Sequence, residues 1–99
     1  MINNFDKLNK GFENRVRLGI MSILMVNDYA DFNFLKENLK LTDGNLASHL
    51  KALEKLEYIE MRKEFIGRKP NTKYMTSKLG KMAFGEHLDA LESFLKNRK

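Results

Sequence analysis

A mainly α-helical domain carrying one small β-hairpin is the fold this chain predicts, on three observations. Leu46, Leu50, Leu53 and Leu56 step by four, three and three, the spacing of one apolar stripe on a helix. At Tyr58 the period drops to two: Ile59, Met61 and Phe65 alternate with Glu60, Arg62 and Glu64, as on a strand. The third observation is a lopsided charge. Residues 60–81 hold seven basic side chains (Arg62, Lys63, Arg68, Lys69, Lys73, Lys78, Lys81) against Glu60 and Glu64, a net of +5, while the rest of the chain balances at 11 basic and 11 acidic groups. All the excess positive charge therefore sits on the hairpin and just past it. A polyanion is the simplest partner for such a patch.

The elements follow in order. Ile2, Phe5, Leu8 and Phe12 recur at helical spacing and predict a short amphipathic helix over residues 1–12, loosened at its end by Gly11. Glu13 to Val26 is apolar almost all round and should be the central, most buried helix, ended by Asn27-Asp28. Tyr29 to Phe32 reads as a short extended stretch, a third strand beside the hairpin. Asn33 can cap a brief helix carrying Phe34, Leu35 and Leu39, with Leu41 plugging the turn behind it. Thr42 is a good N-cap for the leucine-striped helix, and Asp43 in its first turn suits the helix dipole. Gly67-Arg68-Lys69-Pro70 forms the hairpin tip and Thr72 to Thr76 its return strand. Thr76 or Ser77 then caps a long final helix, residues 77–97, with Phe84, Leu88, Leu91 and Leu95 in a coiled-coil-like row. Gly80 and Gly85 inside it either permit a close approach or are tolerated.

Composition narrows the function. A 99-residue chain with 42% hydrophobic and 31% charged residues is one ordinary globular domain, not a disordered one. The richest apolar stretch, Leu18 to Val26, is broken by Gly19 and Ser22 and cannot span a membrane. No secretory signal opens the chain, so a cytoplasmic location is expected. Without cysteine there are no disulfides and no thiol nucleophile. The two histidines, His49 and His87, fit no metalloprotease motif, and no nucleophile elbow or phosphate-binding glycine loop is present. No enzyme, cofactor or metal site is expected, and His87 reads as structural. The six methionines read as core filler.

Helix, short helix, turn, helix, hairpin, helix is the winged helix-turn-helix order. The runs FNFLKENLKLTDGNLASHLKALEKLEYIE, GRKPNTKY and GKMAFGEHLDALESFL closely resemble the small MarR/ArsR-like winged-helix transcriptional regulators, over roughly residues 13–95. The resemblance implies a homodimer that binds a roughly palindromic operator in double-stranded DNA, mostly as a repressor. The family usually places Gly directly before the residue that opens the wing strand, where the helix ends in a left-handed turn. Here that place is held by Glu57.

Under this reading Asn45, Ser48 and His49, on the polar side of a recognition helix and near its start, are candidates for base edges in the major groove. Lys51 and Thr42 are candidates for phosphate, although capping alone explains Thr42. Arg68 and Lys69 at the tip, beside a stiffening Pro70, and an outward-facing Lys73 are candidates for the flanking backbone or minor groove. A solvated helix face and a turn kept soluble by charge are the plain alternatives. The two terminal apolar stripes exceed what one small core covers, so dimerisation through the terminal helices is expected. A rival of another class is a winged-helix module that sets its basic wing on an acidic protein.

Overall fold

The computed structural model describes residues 7–97. Its helices are α1 (Arg15–Val26), α2 (Phe32–Leu39), α3 (Asp43–Lys55) and α4 (Lys78–Asn97); its strands are β1 (Ala30–Asp31), β2 (Ile59–Ile66) and β3 (Lys69–Thr76). From α1 onward the predicted element order holds, third strand included. Caps set the boundaries. Asn14 Oδ1 accepts from the Val16 and Arg17 amides at 2.8 and 3.3 Å, which starts α1 two residues later than the apolar pattern suggests. Asp31, not Asn33, caps α2: its carboxylate accepts from Phe34 N at 2.8 Å and leaves Asn33 inside the helix. Thr42 caps α3 as expected, Oγ1 accepting from Asn45 N at 3.2 Å.

The expected N-terminal helix is not what the described residues form. They contain a short 3-10 helix, Lys10–Phe12, capped by Asn9, whose Oδ1 accepts from Gly11 N at 2.7 Å. Ile2 and Phe5 lie outside the described residues. Phe12, expected on a dimer-forming stripe, is instead fully buried, its ring 5.1 Å from Tyr58 and edge-on to Phe84 at 5.1 Å. His87 closes this cluster. Its Nδ1 accepts from Asn9 N at 2.9 Å, and burial lowers its pKa, so it serves as a neutral acceptor inside the core.

Ile20, Met21 and Leu24 of α1, Leu35 of α2 and Leu46, Leu50 and Leu53 of α3 meet at the centre, joined by Ile59, Tyr74 and Phe84. Met21 is the methionine that fills this core; Met25, Met61 and Met82 are exposed, against the expectation of general core filling.

The antiparallel sheet has the order β1-β3-β2. Ala30 lies opposite Tyr74 and Asp31 opposite Lys73, while β2 and β3 pair from Ile59–Thr76 out to Ile66–Lys69. The hairpin therefore turns on two residues, Gly67 and Arg68, and the return strand begins at Lys69 rather than Thr72. Gly67 supplies the positive φ (65°) that lets so tight a loop follow the twist of the strands. Pro70 is tolerated within β3 because β1 reaches only as far as Lys73, leaving an edge where a missing N–H disturbs no ladder.

α3 ends at a non-glycine residue in the left-handed conformation. Glu57 has φ 65°; its N–H donates to Glu54 O at 2.9 Å and the Tyr58 N–H to Leu53 O at 3.0 Å, a complete Schellman closure. The wing starts directly behind it. Ser77 ties this corner to α4: Oγ donates to Glu57 O at 2.7 Å and accepts from Gly80 N at 2.9 Å. Gly80 is a close approach, since a Cβ there would overlap the Tyr58 carbonyl oxygen, whereas Gly85 has open space around it. The described residues extend over 57 × 25 × 21 Å. Phe84 of its predicted row is in the core; Leu88, Leu91 and Leu95 are exposed.

Candidate nucleic-acid interface

Burial of Leu46, Leu50 and Leu53 fixes which way α3 faces and leaves Gly44, Asn45, Ser48 and Lys51 exposed on its other sides. Thr42 is exposed, with its hydroxyl engaged as the cap. Asp43 is paired with Lys36 of α2 at 2.8 Å, so the negative charge nearest the start of α3 is locally offset.

His49 does not lie opposite the leucines. It stands on the shoulder of α3, half-buried, one turn after Asn45, and its Nδ1 accepts from Arg17 Nε of α1 at 3.2 Å. Partial burial, then the adjacent guanidinium, lower its pKa and favour the neutral ring.

On the wing, Arg68 in the turn and Lys69 beside it are exposed, and neither has an ion-pair partner among the described residues. Lys73 differs from expectation. Instead of standing outward with the other cations, its Nζ pairs with Glu64 at 3.0 Å and sits 4.1 Å from the centre of the Tyr29 ring. The hydrogen bond to Glu64 raises the pKa of Lys73 and holds its charge. This cross-strand anchor joins β2 and β3 to the segment before β1 and spends the cation inside the fold. Arg62, Lys63, Lys78 and Lys81 remain exposed around the hairpin and its root.

Three basic residues join this face without having been singled out from the sequence. Arg15 and Lys40 line a cleft of 460 Å³ with Val16, Leu39, Leu41 and Asn45, beside the start of α3, and Arg17 reaches His49. They sit in the part of the chain whose charges cancel, so no charge count could reveal them; only packing of α1 and α2 against α3 brings them together.

The face thus offers one polar helix edge with amide, hydroxyl and imidazole groups, flanked by cations on a hairpin. Such an arrangement can read base edges and grip phosphates. Among the described residues no group of His or carboxylate side chains could hold a metal ion, and no helix is long and apolar enough to cross a membrane.

Residues 16–95 match the winged helix DNA-binding domain family. The chain belongs to that family. An uncharacterized protein of Methanocaldococcus jannaschii is 38% identical over 88 residues, covering 89% of this chain and 96% of its own. Among solved structures, the transcriptional regulator homologue protein from Pyrococcus horikoshii superposes with a TM-score of 0.77 at 27% identity, over 93% of this chain and 96% of that one. Reduced HlyU from Vibrio cholerae follows the same fold with a TM-score of 0.65 at 26% identity, covering 79% of each chain. In the winged-helix framework α2 and α3 are the helix-turn-helix, α3 is its recognition helix, and β2–β3 is the wing. As a DNA-binding regulator domain, the protein works by binding rather than by bond chemistry.

Proposed function

We propose that this winged-helix protein is a homodimeric, sequence-specific regulator of transcription, acting in the cytoplasm chiefly as a repressor. One observation carries the reading: the exposed polar edge of α3 adjoins the segment that holds all of the protein's net charge. α3 enters the major groove, where Asn45, Ser48 and His49 address base edges and Thr42 and Lys51 the neighbouring phosphates. Arg68 and Lys69 grip the flanking backbone, and Lys73 contributes by bracing the wing. The exposed row Leu88, Leu91 and Leu95 of α4 pairs with its copy, with the N-terminal segment alongside, and sets two recognition helices about 34 Å apart.

Fluorescence anisotropy with random duplex DNA across a salt series tests the electrostatic half. A dimer engaging about six to eight phosphates gives a log–log slope of about −5 to −7. No binding at low salt, or a slope near zero, overturns the reading and favours an acidic protein partner for the wing. Light scattering tests the assembly. A dimer at micromolar concentration that Leu88→Asp with Leu91→Asp converts to monomer supports it, and a monomeric wild type removes it.

A further inference from the structure

Arg17 is an unusual neighbour for a residue on a recognition helix. Here the arginine donates to the histidine. Arg17 is itself held from two sides. Its Nη1 lies 3.5 Å from Gly11 O in the N-terminal turn, and its backbone N–H is bonded to Asn14 at the start of α1. Its Nε–H points at His49 Nδ1 across 3.2 Å. Guanidinium has donors and no acceptor, so the nitrogen it meets must carry a lone pair. In a neutral imidazole that leaves the proton on Nε2. Nε2 has no hydrogen-bond partner among the described residues.

We infer that Arg17 is a positioning residue that locks His49 as an Nε2–H donor, so that His49 takes a purine N7 acceptor in the major groove. This rests on α3 being the DNA-reading helix. A histidine free to choose its tautomer could face a base-edge donor or an acceptor and would discriminate poorly between them. Fixed by Arg17, it can only donate, and the cytosine and adenine amino groups, themselves donors, are refused. His49 shares its edge of α3 with Asn45, one turn earlier, so the two side chains address neighbouring base pairs: Asn45 with a donor and an acceptor, His49 with a donor alone. Lowering of the His49 pKa by burial and by Arg17 works in the same direction, keeping the Nδ1 lone pair available. Arg17→Lys replaces a fixed fork with a flexible point donor, and the ring loses its fixed direction.

The experiment has two arms. Long-range 1H–15N spectra of the free protein report which ring nitrogen of His49 is protonated. The wild type is expected to show the Nε2–H tautomer, and Arg17→Met a mixture, with an unchanged fold by the remaining amide resonances. A predominant Nδ1–H form in the wild type, or an Arg17→Met spectrum of His49 identical to wild type, overturns the role given to Arg17. For the second arm, the tightest duplex selected from random sequence is resynthesised with 7-deazapurines one position at a time. One position should weaken wild-type binding by roughly threefold to tenfold, below the range of a bidentate pair, and leave His49→Ala unaffected. Equal losses for both proteins at every position overturn the base contact. Failure of the wild type to bind any duplex overturns the proposed function and the base contact together, while the spectra still decide the link between Arg17 and His49.

Discussion

On α3, Leu50 is 1% exposed and Leu46 and Leu53 are fully buried, although Leu56 at the end of the stripe is exposed, whereas at the far end of the wing Phe65 and Ile66 are 74% and 64% exposed. Both regions face the same proposed ligand, yet one is bolted to the core and the other is held by its own ladder, a two-residue turn and the Glu64–Lys73–Tyr29 anchor near its middle. The difference matches two kinds of recognition. A hydrogen bond to a base edge fails with an ångström of misplacement, so its side chains need a rigid platform. Attraction to phosphate persists over roughly a Debye length, about 8 Å at physiological salt, so its cations tolerate a pliant arm. In the proposed complex, specificity therefore belongs to the buried helix and affinity to the hairpin.

The largest test of this contrast is stability. Leu50→Ala should destabilise the fold by about 2–5 kcal/mol in chemical denaturation, through lost transfer energy and the cavity left behind. Phe65→Ala should stay within about 0.5 kcal/mol, since an exposed ring contributes little. Equal losses would mean the wing is as firmly packed as the helix. The junction between the regions comes next. Gly80→Ala drives a methyl into the Tyr58 carbonyl and should cost about 1–3 kcal/mol, while Gly85→Ala, with nothing near it, should stabilise by about 0.5–1 kcal/mol. Calorimetry of the pair would show whether the wing root and α4 are truly seated on each other.

A third test separates the two kinds of recognition. Asn45→Ala should lower the preference for a selected duplex by about 1–3 kcal/mol and leave random-sequence binding nearly unchanged; Arg68→Ala with Lys69→Ala should weaken all sequences alike and flatten the salt slope. Competition titrations read both, and a uniform loss from Asn45→Ala would make α3 a phosphate-gripping element like the wing. The smallest effect is expected at the seam. Glu57 is exposed and strained at φ 65°, so Glu57→Gly should stabilise by about 0.5–1 kcal/mol in thermal melts without altering DNA affinity.

Much of this architecture was legible beforehand because it is local. The leucine stripe and the Thr42 cap delimit α3, the change of period at Tyr58 marks the wing, and the charge count points to it. Even the left-handed corner at Glu57 could be expected, from the resemblance and the abrupt change of period. What escaped depends on contacts between distant segments. Asn33 and Asp31 are both good caps, and only the chain's path out of β1 selects Asp31. Lys73 reads as one wing cation among several until register brings it beside Glu64 and the fold brings it over Tyr29. His49 meets Arg17 from 32 residues away, and no spacing rule links them. Phe12 fits a helical stripe on paper, but its ring is drawn into the cavity between Tyr58, Phe84 and His87.

The contact between Gly80 and the Tyr58 carbonyl leaves no slack between the root of the wing and the base of α4, and the Ser77–Glu57 hydrogen bond closes the same corner. α4 is 20 residues long, about 30 Å at 1.5 Å per residue. In the proposed dimer it is a stiff crank whose far end meets the partner and whose near end carries the reading head. Turning such an arm by about 10° sweeps its tip by roughly 5 Å, more than one base-pair step of 3.4 Å along the duplex. The crossing angle of the two cranks would then decide which operator spacing fits, and a small change in that angle would be enough to lift both heads out of register.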